Sequence, residues 1–169
     1  MADRSSPVGE QALVCERGSK LEIRAAAAAP GIGARVLIVD DDPAMRFLCT
    51  INLEREGLVV LEAADGVTAL ARARAEKPDL VLTDISMPQL DGFGLAEALR
   101  RDRRTSRIPL VFLSGEENGA YEARAKELGA LAYVTKPVDP FALASRIGEV
   151  LALAGKHRRP VPGPEPLAA

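Results

Sequence analysis

Residues 36–43 read VLIVDDDP, an apolar run followed by three aspartates and a proline. The run from Val36 to Val39 predicts a short strand that is buried on both faces, as strands of parallel sheets are. Asp42 can cap a helix that begins at Pro43, where a missing backbone N–H costs nothing. The stretch therefore predicts a strand that passes directly into a helix, with two further aspartates at the junction.

The alternation of apolar runs with helical periodicity continues along the chain and predicts an α/β fold, doubly wound around a five-stranded parallel sheet. Right-handed crossovers then place helices on both faces of the sheet. The strands are predicted at Val36–Val39, Val59–Leu61, Leu80–Leu82, Leu110–Leu113 and Ala132–Val134. The helices are predicted to begin near Asp42, Asp65, Phe93 and Asp139, with one more that carries Tyr121, Ala125 and Leu128 on one face and ends at Gly129.

The apolar faces of the first and last helices follow from residue spacing. Ala44, Phe47, Leu48 and Ile51 stand at i, i+3, i+4 and i+7, which predicts a buried face on a helix that ends at Gly57. Leu143, Ile147, Val150 and Leu151 are predicted to be buried in the last helix.

The folded domain is predicted to span residues 34–154. Residues 1–33 show no sustained periodicity and contain the run Ala25–Ala29, so a flexible leader is expected. Residues 155–169 carry Pro160, Pro162, Pro164 and Pro166, which predicts a proline-rich, linker-like tail.

The composition is globular, with 47% hydrophobic and 27% charged residues in a chain of 169. The formal net charge of −2 gives the whole chain no attraction to nucleic acid or to an anionic membrane, so neither is expected as a direct partner. The basic segment Arg100–Arg104 is interpreted as the solvated end of a helix, where the dipole favours positive charge. No apolar run approaches the ~18 residues of a membrane span, and Cys15 and Cys49 show no ligand-like spacing, so a cytoplasmic protein without a disulfide framework is expected.

Polar residues follow four of the predicted strands, at the end of a parallel sheet where ligands bind. These residues are Asp40 and Asp41 after the first strand, Asp84 after the third, Ser114 after the fourth and Lys136 after the fifth. Carboxylates that meet repel one another unless a cation lies among them, and magnesium prefers such oxygen ligands. The sequence therefore predicts a magnesium and phosphoryl site at these strand ends.

Four motifs, in matching order and spacing, resemble those of response-regulator receiver domains across the whole predicted domain. They are VLIVDDDP at 36–43, LVLTDISMP at 80–88 with Asp91-Gly92, LSG at 113–115, and Lys136-Pro137. The resemblance implies a flavodoxin-like (βα)5 fold with strand order 2-1-3-4-5.

Carried over by position, the resemblance implies a role for each site residue. Asp84 is expected to be the phosphoacceptor, with Asp40 and Asp41 binding Mg2+ and Asp41 as the direct ligand. The backbone carbonyl of Ser86 is expected to be a further metal ligand. Phosphoryl oxygens are expected to bind Ser114 and Lys136, Tyr133 corresponds to the family's switch aromatic, and the Lys136-Pro137 bond is expected to be cis. Ser114 stands where the family often has threonine, and Ser86 and Glu116 occupy variable positions that set phosphoryl lifetime.

The resemblance also implies a function. The chain is expected to be a signalling switch rather than an enzyme, phosphorylated by a histidine kinase or phosphotransfer protein. Its signal is expected to pass to a downstream protein, or to a second copy, through the face formed by the fourth helix, fifth strand and fifth helix. No output domain is predicted within the chain.

The same residues bear on three other functions. A binding module of this fold that uses flavin or another phosphate-bearing ligand is disfavoured because aspartates after the first strand repel phosphate. A hydrolase with an Asp84 nucleophile needs a second acid where Ser86 stands. A degenerate receiver that acts only as a docking module is the remaining alternative.

Overall fold

The structure is a computed structural model that describes residues 33–115 and 118–155. The predicted leader and tail, apart from Gly33 and Gly155, lie outside the described residues, as does Glu116. The strands are β1 (Arg35–Val39), β2 (Val59–Ala63), β3 (Leu80–Asp84), β4 (Leu110–Ser114) and β5 (Ala132–Thr135). The helices are α1 (Pro43–Arg55), α2 (Gly66–Glu76), α3 (Gly92–Arg101), α4 (Gly119–Glu127) and α5 (Pro140–Gly155).

The strands form one parallel sheet in the order β2-β1-β3-β4-β5, which confirms the predicted fold. All residues of β3 and β4 are buried, because helices cover both faces of the sheet. On one face, Leu37, Val81 and Phe112 pack with residues of α2 and α3. On the other face, Val36, Leu82 and Val111 pack with residues of α1 and α5.

Side chains at the first turn fix where four helices begin. Asp42, Asp65, Asp91 and Asn118 cap α1, α2, α3 and α4, and each accepts a hydrogen bond from a backbone N–H of the first turn. The cap predicted for Asp42 is confirmed, with its Oδ1 2.8 Å from the Ala44 nitrogen. Such a cap stabilises a helix by about 1 kcal/mol relative to alanine.

The predicted buried face of α1 is wrong. Phe47 is 66% exposed and Leu48 41% exposed, whereas Cys49 and Leu53 are buried. Met45, Cys49 and Leu53 form a second apolar stripe at four-residue spacing, and this stripe meets the sheet and α5. The helix carries two overlapping apolar stripes, and the neighbouring elements decide which one is buried.

The prediction of a solvated helix end is wrong for Arg100. Its guanidinium donates to the carbonyls of Leu128, Ser106 and Ile108 at 3.0, 3.0 and 2.9 Å. Burial lowers its pKa. Arg100 therefore joins the end of α3 to the end of α4 and to the segment before β4, whereas the side chain of Arg101 is 80% exposed, as predicted.

Within residues 33–115 and 118–155, no helix is long and apolar enough to cross a bilayer. Cys49 is a free, buried thiol, and Cys15 lies outside the described residues.

Candidate functional site

The parallel register brings the carboxyl ends of four strands to one edge of the sheet. Asp84 ends β3 and is the register partner of Leu113 in β4. Ser114, the residue after Leu113, ends β4. Asp40 follows β1 directly, and Lys136 follows β5, where its backbone nitrogen donates to the Ser114 carbonyl at 2.7 Å. The predicted site residues from four separate strands therefore lie at one edge.

Three carboxylates converge at this edge. Asp40, Asp41 and Asp84 each offer an oxygen within 4.8 Å of the others. Asp40 is fully buried and Asp84 is 5% exposed, whereas Asp41 is exposed. The Lys136 ammonium lies between two of them, 2.8 Å from Asp40 Oδ2 and 3.3 Å from Asp84 Oδ1.

Backbone hydrogen bonds orient the two buried carboxylates. Asp40 Oδ1 accepts from the Asp42 nitrogen at 2.9 Å, and the Asp40 nitrogen donates to the Ala63 carbonyl of β2 at 3.3 Å. Asp84 Oδ1 accepts from the Ile85 nitrogen at 2.9 Å. Lys136 contacts the other oxygen of Asp40 but shares Oδ1 of Asp84 with the Ile85 nitrogen, so these contacts do not use Asp84 Oδ2.

Gly92 allows α3 to begin directly against Asp84. A Cβ at this position would lie 2.2 Å from the Asp84 carbonyl oxygen and 2.9 Å from the Cα of Ile85. The Gly92 nitrogen donates to the Ile85 carbonyl at 2.9 Å. The glycine of the Asp91-Gly92 pair is thus required by a close approach of backbone to backbone at the site.

The electrostatics of the site favour a cation. Burial raises the pKa of Asp84, the Lys136 charge opposes the rise, and the Asp40 charge adds to it. Burial alone would lower the pKa of Lys136, but its hydrogen bond to Asp40 and the charges of Asp40 and Asp84 outweigh burial and raise it. The single ammonium of Lys136 contacts two of the three carboxylates. The resulting excess of hard oxygen donors fits a divalent ion such as Mg2+.

The other predicted residues occupy distinct positions. Ser114 is 2% exposed at the end of β4, and Ser86 is exposed two positions after Asp84. Tyr133, in β5, is half-buried and packs against the core on the α3 face of the sheet. The Lys136-Pro137 peptide bond is cis, as the resemblance implies.

Sequence reasoning missed Arg46 of α1, whose guanidinium donates to the Asp40 carbonyl at 2.7 Å. Arg46 also forms an ion pair with Glu62 of β2 at 3.6 Å. The available signal was a polar stripe on α1, because Asp42, Arg46 and Thr50 recur every four residues and so share one side of the helix.

Comparison with known proteins agrees with this geometry. Residues 36–148 match the response regulator receiver domain family. Protein PilH of Pseudomonas aeruginosa is 44% identical over 119 residues, which is 70% of this chain and 98% of PilH. The DNA-binding dual master transcriptional regulator RpaA of Synechocystis is 39% identical over 69% of this chain, which spans 48% of that regulator.

Solved structures show the same fold. The chemotaxis protein CheY4 of Vibrio cholerae has a TM-score of 0.67 and 31% identity, over 70% of this chain and 98% of CheY4. A CheY-like response regulator receiver domain protein of Methanospirillum hungatei has a TM-score of 0.70 and 32% identity, over 75% of this chain and 99% of that one. The chain belongs to the response regulator receiver domain family.

Proposed function

We propose that this receiver domain accepts a phosphoryl group on Asp84 from a histidine kinase or phosphotransfer protein in the cytoplasm. The observation that carries the proposal is the setting of the Asp84 carboxylate, which is almost buried, contacts Lys136 at 3.3 Å, and lies near two further carboxylates. In the transfer, an Asp84 oxygen bonds to phosphorus while the bond from phosphorus to the donor's imidazole nitrogen breaks. The nitrogen keeps the electron pair. Water later attacks the phosphorus, the bond from the Asp84 oxygen to phosphorus breaks, and the free carboxylate and inorganic phosphate result.

The donor set supports Mg2+ as the cofactor. Asp40, Asp41 and Asp84 provide the carboxylate oxygens, and the Ser86 backbone carbonyl is proposed as a further ligand. The ion would neutralise charge on the transferring phosphoryl group. Lys136 holds the Asp40 and Asp84 carboxylates in place, and in the phosphorylated protein it would bind a phosphoryl oxygen together with the Ser114 hydroxyl.

Two features support an output through α4, β5 and α5. Every residue of β5 is only half-buried, whereas β3 and β4 are fully buried. In α4, Ala125 is the single buried residue. α4 and β5 therefore have few buried side chains to hold them in one position, so movement of Ser114 toward the phosphoryl group, with Tyr133 turning inward behind it, can alter them at low cost. The recipient is proposed to be a downstream protein or a second copy.

The corrected orientation of α1 supports a docking place for the phosphodonor. Phe47 and Leu48 are exposed beside a shallow cleft lined by Met45, Cys49 and Val138, among others. Val138 of this cleft stands two residues after Lys136, so the cleft lies close to the site. A donor protein must reach Asp84 across this surface, and an apolar patch suits such a contact. We expect Phe47→Ser to slow transfer from the donor protein but not from acetyl phosphate, which needs no docking; equal slowing of both rates contradicts the assignment.

Incubation with acetyl phosphate and Mg2+, followed by intact-mass measurement, tests the central proposal. The wild-type chain is expected to gain one acid-labile phosphoryl group, and Asp84→Asn none, because an amide is a poor nucleophile. Asp79→Asn is the matched control, since Asp79 binds Arg35 away from the site. A wild-type chain that stays unmodified would support a docking module, and an Asp84→Asn chain that gains phosphate would show that another residue is the acceptor.

A further inference from the structure

Arg46 of α1 binds the backbone of the acidic loop, residues Asp40–Asp42, between β1 and α1. Its side chain is only 17% exposed, and its Nη1 donates to the Asp40 backbone carbonyl at 2.7 Å. A guanidinium removed from water in this way needs partners for its donors. The backbone of Asp40 is therefore tied to α1 as well as to β2, where its nitrogen donates to Ala63.

Glu62 completes the arrangement. Its Oε2 lies 3.6 Å from Arg46 Nε, and its Oε1 accepts from the Thr50 hydroxyl at 2.6 Å. Glu62 is the register partner of Ile38 in β1, two residues before Asp40. The carboxylate is thus held by two residues one turn apart on α1, and it fixes the side chain of Arg46 over the loop.

The arrangement matters because of Asp41. Across the part of the chain that the structure describes, no hydrogen bond or ion pair holds the exposed Asp41 carboxylate. The Asp40 and Asp84 carboxylates, in contrast, have two partners each. The direction of the Asp41 side chain therefore depends on its backbone. The carbonyl that Arg46 binds belongs to the peptide unit immediately before the Asp41 Cα, so Arg46 fixes the plane from which that side chain projects.

We propose that Arg46, itself oriented by Glu62, is a positioning residue that aims the Asp41 carboxylate at the cation site. The inference rests on the proposed function, since it assumes that Asp41 binds the metal. It makes Arg46 a partner of the ligand's backbone rather than a ligand or a catalytic residue. Mutation of residues that orient a metal ligand without binding the metal typically lowers metal affinity by about 10- to 100-fold.

Two effects of removing Arg46 have opposite signs, which makes the proposal testable. Loss of a positive charge near the carboxylates would strengthen Mg2+ binding. Loss of the hydrogen bond to the Asp40 carbonyl would free the peptide unit before Asp41 and so weaken Mg2+ binding. Because Glu62 already compensates the charge of Arg46, we expect the second effect to dominate.

The test is a Mg2+ titration of the full chain, in which binding is monitored by backbone amide chemical shifts in NMR. Urea unfolding of each variant is measured in parallel. Arg46→Met is expected to weaken Mg2+ binding by roughly ten-fold. Arg46→Lys keeps the charge and a donor group, so its Mg2+ affinity is expected to lie between those of the wild type and Arg46→Met. Arg35→Met is the matched control, since Arg35 also donates to a backbone carbonyl and pairs with a carboxylate, both of Glu76, but at the opposite end of β1 from Asp40. This control is expected to lose stability and to keep the wild-type Mg2+ affinity.

Each alternative has its own outcome. Tighter Mg2+ binding by Arg46→Met, with Arg46→Lys unchanged, would show that charge alone matters and would overturn the proposal. Lower stability with unchanged affinity in both Arg46 variants would reduce Arg46 to a structural contact. If Arg46→Met does not fold, Arg46→Lys decides, because only the positioning role lowers its affinity. Failure of the proposed function is seen separately, as wild-type Mg2+ binding that Asp41→Ala leaves unchanged.

Discussion

Substitution of Gly92 by alanine should destabilise the domain, although alanine is the better helix former. The added Cβ would meet the Asp84 carbonyl oxygen at 2.2 Å, so backbone at the start of α3 or the end of β3 must move by about 1 Å to restore a contact of 3.4 Å. Overpacking of this kind costs about 1–3 kcal/mol, and the helix preference of alanine over glycine returns up to ~1 kcal/mol. We expect a net loss of about 1–2 kcal/mol in the free energy of unfolding.

Urea unfolding of three variants checks this magnitude. In Gly94→Ala the Cβ meets the flexible end of Leu90 at 2.8 Å, so a smaller loss is expected. In Gly119→Ala the Cβ meets no atom of the described residues within 4 Å, apart from its chain neighbours, and the variant should gain about 0.5–1 kcal/mol because alanine lowers the entropy of the unfolded chain. A Gly92→Ala domain as stable as Gly119→Ala would refute the close approach at Asp84. We also expect Gly92→Ala to slow phosphorylation by acetyl phosphate, because the displaced carbonyl belongs to the acceptor residue.

Three other predictions concern the site and its surroundings. In the absence of Mg2+, Asp84→Asn should unfold at higher urea than the wild type at neutral pH, because burial raises the pKa of Asp84 and disfavours its charged form. Because the pKa of Asp84 is raised in the folded state, the cost of its charge is present above that pKa and is relieved as pH falls through it. The stability advantage of Asp84→Asn in urea should therefore shrink in acid. An advantage that grows in acid would contradict the direction of the pKa shift. Lys136→Ala should leave Mg2+ affinity equal or higher, because the ammonium competes for Asp40 and Asp84, and weaker binding in an NMR titration would count against this position of the lysine. Cys49 should resist iodoacetamide at pH 8 until the domain unfolds, since burial, and then the Asp40 charge, raise its pKa to about 11; rapid alkylation of the native protein, located by peptide mapping, would show that the thiol is accessible.

The strands and their order could be predicted because buried parallel strands have a local signature. The five apolar runs lie within the observed strands, each of which extends one or two residues beyond its run. Placement of Asp40, Asp84, Ser114 and Lys136 at one edge followed from the parallel arrangement itself. The Asp42 cap was predictable because it depends only on neighbours in sequence.

The features that sequence reasoning missed depend on distant neighbours. Which stripe of α1 is buried depends on packing against α5, since Phe47 and Cys49 belong to equally plausible apolar faces. Arg100 binds carbonyls up to 29 residues away in sequence. Its position at the end of α3 does not reveal these partners, so the interpretation of Arg100 as a solvated charge is wrong. The preference of Lys136 for Asp40 over Asp84, 2.8 against 3.3 Å, likewise depends on how the strand ends meet.

The hydrogen bonds of Arg100 to the end of α4 restrict how that helix can move. Leu128 and Gly129, at the carboxyl end, are held to α3 through the guanidinium, so that end acts as a pivot. The nine residues of α4 form a lever about 13 Å long, at 1.5 Å per residue. A tilt of about ten degrees about the pivot displaces the opposite end by about 2 Å and leaves the pivot in place. Rotation of α4 therefore concentrates its displacement at Asn118 and Gly119, the end that follows the strand carrying Ser114.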